Sequence, residues 1–156
     1  MTGEPELVDP APVAALSALL SSGAPPVRPG DPLPPLWHWV ALPRWSPSTV
    51  LGLDGHPRRD ESDVPADLPR RMFAGGTVTF HAPIVVGSRI TRHTTVRSSD
   101  MKQGRSGRFL LRQNKTTAYA ESGAPLLTEQ QNIVYRPAPP RQSARPAPSP
   151  PHPRRR

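Results

Sequence analysis

The stretch Leu68-Pro69-Arg70-Arg71-Met72-Phe73-Ala74-Gly75-Gly76 gathers the residue types of a binding site into a few positions. Two adjacent arginines offer planar, permanently charged forks for a phosphate or a carboxylate. Met72 and Phe73 add apolar contact area, and Gly75-Gly76 can take positive φ or let another group approach the backbone closely. The same residues also describe a mobile basic loop ending in a flexible glycine pair, and residue types alone do not separate the two. A second cluster is Leu36-Trp37-His38-Trp39-Val40-Ala41-Leu42, where an imidazole lies between two indoles. His38 there is either a buried histidine bonded to backbone or an acid/base group. The other histidines, His56, His81, His93 and His152, show no short ligand spacing, and the chain has no cysteine, so no metal site is expected. Gly104-Arg105-Ser106-Gly107 lacks the frame of a nucleophile elbow, and Gly75-Gly76 lacks a phosphate-loop lysine.

Something must position these groups. Residues 13–20 predict the one clear helix, with Val13, Leu16, Leu19 and Leu20 at spacings of three and four, Asp9 as N-cap and Pro10 at the first helical position. A helix this short needs a sheet to lie on. Residues 24–35 are a proline and glycine connector, and the tryptophan run after it predicts a short buried strand or a wedge under the helix. Residues 43–67 read as irregular. From Thr77 the texture is β: runs at 77–81, 89–97, 108–121 and 125–135, separated by turn chemistry at hairpin-like spacings, predict about four antiparallel strands. On this reading the segment 68–76 is a hinge between the helical and the β parts.

At 156 residues the chain holds one domain with tails. The net charge of +8 is mostly a property of residues 136–156, which carry six arginines and no acid; the remainder has 14 basic against 12 acidic residues. The pI near 11.3 therefore does not indicate a nucleic-acid-binding fold. Residues 137–156, with eight prolines, predict a disordered basic tail. There is no basic leader and no apolar run of about 20 residues, so the expectation is a soluble cytoplasmic protein.

Five blocks of the chain resemble, in the same order, the N-terminal half of MaoC-like acyl-thioester dehydratases. They are Leu33-Pro34-Pro35-Leu36-Trp37-His38-Trp39, Leu53-Asp54-Gly55-His56-Pro57-Arg58-Arg59, the Leu68 to Gly76 stretch, Lys102-Gln103-Gly104-Arg105-Ser106-Gly107, and Glu129-Gln130-Gln131-Asn132-Ile133-Val134-Tyr135-Arg136. The nearest branch is that of mesaconyl-CoA (3-methylfumaryl-CoA) hydratase and the type 2 hydroxyacyl-thioester dehydratases. The resemblance implies an α+β hot-dog fold over residues 10–136, with an antiparallel sheet wrapped around one helix, after a flexible 1–9. It also implies addition or removal of water on an acyl thioester of CoA or acyl-carrier protein, with no cofactor.

The catalytic Asp and His of such enzymes come from an Asp-x-Asn-Pro-x-His motif in a second half. Pro29-Gly30-Asp31-Pro32 has no Asn-Pro and no following His, so no catalytic role is carried onto it. The chain also departs from the family at residues 60–63 and after Arg136. The expected role is then a non-catalytic half, inactive alone, that binds the thioester or completes the site of a catalytic hot-dog partner as a homodimer or heterodimer. Its candidate substrate-binding residues are Trp37, His38, Trp39, Arg70, Arg71, Met72, Phe73, Gly75 and Gly76; alternatively the tryptophans are core and the arginines bind carboxylates of the neighbouring half. A competing expectation is a non-enzymatic truncated remnant that contacts protein or nucleic acid only through its basic tail. Deleting residues 137–156 separates the two.

Overall fold

The structure, a computed structural model, describes residues 3–21, 26–52, 55, 57, 64–105 and 107–138. The first blocks of strand-forming sequence build one antiparallel sheet in the order β1-β3-β4-β5-β2, with β1 at Glu6–Leu7, β2 at Arg70–Phe80, β3 at Arg89–Gly104, β4 at Gly107–Ala120 and β5 at Pro125–Arg136. The four long strands are the four predicted β runs. Two of their connections are the expected hairpins. Gly104 pairs with Gly107 across the β3–β4 turn, and Gly107 takes a φ of 104°. Between β4 and β5, the Gly123 amide donates to the Ala120 carbonyl at 2.8 Å.

The step from β2 to β3 is not a hairpin, because β5 and β4 lie between them. Residues 81–88 instead carry the chain across the end of the sheet and are held by the proline connector. Leu33 N–H donates to the Ile84 carbonyl at 2.7 Å, and Val86 N–H donates to the Asp31 carbonyl at 3.0 Å. A short spacing predicts a hairpin only when the two strands are also neighbours, and neighbourhood is set by the whole sheet.

The segment 70–76 also differs from its expectation. It is the first half of β2, paired with β5 from Arg70 opposite Arg136 to Phe73 opposite Ile133. A bulge then puts Gly76 opposite Gln131, with Gly75 at a φ of 108°. The glycine pair that reads as a loop end in sequence is here a bulge inside a strand.

The first helix, α1, spans Pro10–Leu20. Asp9 caps it as expected, its Oδ1 accepting from Ala11 N–H at 2.9 Å. Val13 is fully buried, whereas Leu19 and Leu20 are 80% and 55% exposed, so only the first part of the predicted leucine face is covered. The tryptophan run forms a second helix, α2, at His38–Ala41 rather than a strand. Its turn is closed by Ala41 N–H donating to the Trp37 carbonyl at 2.9 Å. Val8, Val13, Leu33, Ala41, Ile90 and Leu127 belong to the main core, which joins both helices to one end of the sheet. Leu68, Leu110, Ile133 and Tyr135 form a smaller core towards the other end. Each fully buried large side chain among these contributes about 1.5–3 kcal/mol. Between the two cores the same face of the sheet is polar.

Candidate functional site

Alternation along a strand puts every second side chain on one face. On β4 the face between Leu110 and Ala118 carries Arg112, Asn114 and Thr116; on β5, between Leu127 and Ile133, it carries Glu129 and Gln131. The register sets Asn114 opposite Gln131 and Thr116 opposite Glu129. β3 adds Thr94 and Val96 opposite Thr116 and Asn114, and the Thr94 and Thr116 hydroxyls are 2.8 Å apart. These residues line a cavity of about 520 Å³. Its remaining wall is α2 and the segment after it, through His38, Trp39, Leu42 and Arg44.

Glu129 anchors that wall. Its Oε1 accepts from Trp39 Nε1 at 2.9 Å and from Gln131 Nε2 at 2.7 Å, and its Oε2 lies 3.8 Å from His38 Nε2. Burial would push the Glu129 carboxyl up, but His38, Gln131 and Trp39 together hold it below the usual carboxylate value. His38 is 4% exposed, and neither ring nitrogen has a hydrogen-bond partner among the described residues. At 3.8 Å the His38–Glu129 contact is too long for a hydrogen bond and acts through space. Both imidazole nitrogens are buried, and Nε2 is the one near the Glu129 carboxylate.

A second carboxylate holds two of the cavity's arginines. Glu6 on β1 accepts from Arg92 Nε at 2.9 Å, pairs its other oxygen with Arg92 Nη2, and accepts from Arg44 Nη2 at 3.0 Å. Arg92 also donates to the Leu42 carbonyl at 3.3 Å, tying the segment after α2 to β3. Burial opposes ionisation of Glu6, yet Arg92 and Arg44 hold its carboxyl below the ordinary value of 4.5. A lowered folded-state value stabilises the fold above the unfolded value and loses that stabilisation as pH falls through the folded one. We therefore expect wild-type stability to drop below about pH 4.5, and Glu6→Gln to flatten that part of the profile while costing about 1–2 kcal/mol at pH 7. Urea unfolding of both proteins from pH 7 to 3 measures this.

The sequence-predicted site residues divide into two groups. His38 and Trp39 line the cavity, while Trp37 is half-buried against the main core. Arg70, Arg71, Met72, Phe73, Gly75 and Gly76 all lie on β2, an edge strand. Of these, Met72 and Phe73 line a separate hollow of about 260 Å³ with Phe109, Val134 and Arg136, whose guanidinium carbon is 5.9 Å from the Phe109 ring centre. Asp31 is a turn residue whose Oδ2 accepts from Arg28 N–H at 2.8 Å. Leu53, Asp54, His56 and residues 58–63, Ser106 and residues 139–156 lie outside the described residues.

Sequence reasoning missed the cavity's polar floor. Its signal was there: Arg112-x-Asn114-x-Thr116 and Glu129-x-Gln131 place polar side chains at alternate positions with apolar residues at both ends. Which of the two alternating sets faces inward follows only from strand pairing. Among the described residues, no group of three or more His, Asp or Glu stands close enough to hold a metal ion, and no helix is long and apolar enough to cross a membrane.

Comparison with known proteins agrees with this architecture. A chain of the ChsH1-ChsH2 complex from Mycobacterium tuberculosis superposes with a TM-score of 0.62 at 15% identity, over 88% of this chain and 90% of that chain. HtdX from the same organism gives 0.52 at 18% identity, over 96% of this chain and 53% of the other. Both likenesses are of fold, and the curled antiparallel sheet is a hot-dog fold. In sequence, the chain is 42% identical over 118 residues to the mesaconyl-C(4)-CoA hydratase of Chloroflexus aurantiacus, a match covering 74% of this chain. It spans 40% of that relative's length. The family model of hydroxyacyl-thioester dehydratase type 2 matches residues 36–156, running past Arg136, where the sequence reading drew its boundary. The chain belongs to the type 2 hydroxyacyl-thioester dehydratase family, a family of hydratases and dehydratases with the hot-dog fold.

Proposed function

We propose that this chain supplies the acyl-receiving half of a thioester hydratase or dehydratase, and that a second hot-dog half, from another copy or another chain, supplies the acid and the base. The observation that carries the reading is the cavity of about 520 Å³ on the inner face of the sheet, walled by the short α2. Its volume suits a small acyl group. Adding water across an enoyl thioester needs a base for the water, an acid for the α-carbon and donors for the thioester oxygen. His38 and Glu129 do not fit those roles. The His38 nitrogens are buried beside Glu129, and a carboxylate held below its usual pKa is a weak base.

The partner half has a place to dock. β2 is an edge strand with one side of its backbone unpaired in the sheet, and Met72 and Phe73 on it are 43% and 65% exposed. On this proposal Arg70 and Arg71 face the partner or the phosphates of CoA or acyl-carrier protein, the hot-dog unit is residues 10–136, and the setting is cytoplasmic.

The test is hydration of crotonyl-CoA and mesaconyl-CoA by the purified chain, alone and mixed with a hot-dog chain carrying the Asp-x-Asn-Pro-x-His motif. Silence alone and turnover in the mixture is the expected result. Turnover by the chain alone would overturn the division of labour, and silence in both would overturn the role in catalysis.

A further inference from the structure

A strand carries backbone donors and acceptors along both edges, and an edge without a neighbour offers them to another chain. β3 pairs with β4 along nearly all of Arg89–Gly104. On its other edge β1 covers only Arg89 and Ile90, and Gly3 lies against the Arg92 carbonyl oxygen, to which a Cβ would come within 2.6 Å. Over residues 93–104 that edge has no strand beside it among the described residues. The bulge between Val96 and Ser98 kinks its first part, which protects it from pairing. Beyond the bulge, residues 98–104 are regular, and residues 99–103 are all exposed.

Charges guard an edge when they repel a copy of themselves, and here one register makes them attract. Met101 is opposite Leu110 of the smaller core and shares the inner face with it. Asp100 and Lys102, opposite Leu111 and Phe109, share the outer face. Neither has an ion-pair partner among the described residues. When a second copy runs antiparallel with Met101 opposite Met101, Asp100 of each copy meets Lys102 of the other, and the two thioethers meet on the inner face. A shift by one residue sets inner side chains against outer ones. A shift by two sets Asp100 against Asp100 or Lys102 against Lys102.

We propose that residues 98–104 of β3 are an interaction surface for a second copy of this chain, paired antiparallel about Met101. The proposal goes beyond the acyl-thioester reading and does not depend on it. β2 lies at the opposite side of the sheet, so the contact leaves it open to a catalytic half. Being isologous, the contact closes on itself and joins two such units.

The chain has no cysteine, so one introduced thiol reports its own neighbour. Opposed Cα atoms in an antiparallel pair are about 4.5–5.5 Å apart, within the reach of a disulfide. Under mild oxidation of the full chain, Met101→Cys should give several-fold more disulfide-linked dimer than Val96→Cys, since the two sites are equally exposed at 48% but Val96 lies across the bulge. Adding Lys102→Glu to Met101→Cys sets like charges together in both pairs and should lower the linked fraction roughly tenfold. Adding Asp100→Lys as well makes the charges opposite again and should restore it. Sedimentation of wild type, Lys102→Glu and the Asp100→Lys/Lys102→Glu exchange gives the same order without a thiol, should Met101→Cys fail to fold. Equal linking by Met101→Cys and Val96→Cys would mean random collision and overturn the interface. Linking or sedimentation that ignores Lys102→Glu, or that the exchange does not restore, would overturn the pairing about Met101.

Discussion

Glu129→Ala should lower the stability of this protein by about 3 kcal/mol, seen as a fall in the urea midpoint with an unchanged slope. Glu129 is 8% exposed and is the only acceptor to which both Trp39 Nε1 and Gln131 Nε2 are seen to donate among the described residues. Its removal leaves those donors without their partner and deprives the buried His38 of the carboxylate 3.8 Å away. Loss of one partner from a part-buried polar set costs more than the set contributes, because the buried His38 and the shielded parts of the donors lose the acceptor they were packed around. Glu129→Gln keeps the shape and one acceptor oxygen, so it should cost roughly half as much. Trp39 is 54% exposed, and its emission should shift to the red in the alanine variant as α2 loosens from the sheet. A variant as stable as wild type would mean that α2 is held by the main core alone.

The second large effect is expected at the glycine pair, and it should be unequal. A Cβ on Gly76 would lie 2.4 Å from the Gln130 carbonyl oxygen, which is backbone and cannot turn aside. Gly76→Ala must therefore part β2 from β5 at the bulge, at a cost of about 2–4 kcal/mol. A Cβ on Gly75 meets nothing within 4 Å, but its φ of 108° lies in the left-handed half of the map. Gly75→Ala should cost about 1–2 kcal/mol, from backbone strain alone. Thermal unfolding of the two variants gives the order directly. If instead both unfold like wild type and both weaken thioester binding, the pair serves a ligand rather than the bulge.

The two effects mark where the chain's chemistry became legible. The start of α1 was readable because a cap is a local event: Asp9 needs only the amide two residues on and a proline that tolerates the first turn. The four β runs and the Gly104 to Gly107 turn were readable for the same reason, since propensity and turn chemistry lie within a few residues. Family membership was readable because five blocks keep their order along the chain, and the match to the type 2 dehydratase model agrees with it.

What tertiary structure decided is which residues share a face and which strands are neighbours. Arg70 to Gly76 looked like a hinge, and pairing with β5 made it a strand with a bulge. The Trp37 to Trp39 run was apolar enough for a strand, and its closure over a polar cavity made it a helical turn with one indole half in solvent. A period of two shows that alternate residues differ in environment but not which set faces inward, and a single bulge exchanges the sets. For that reason Glu129 and Arg112, 17 positions apart in sequence, became members of one site only once β4 and β5 were placed side by side.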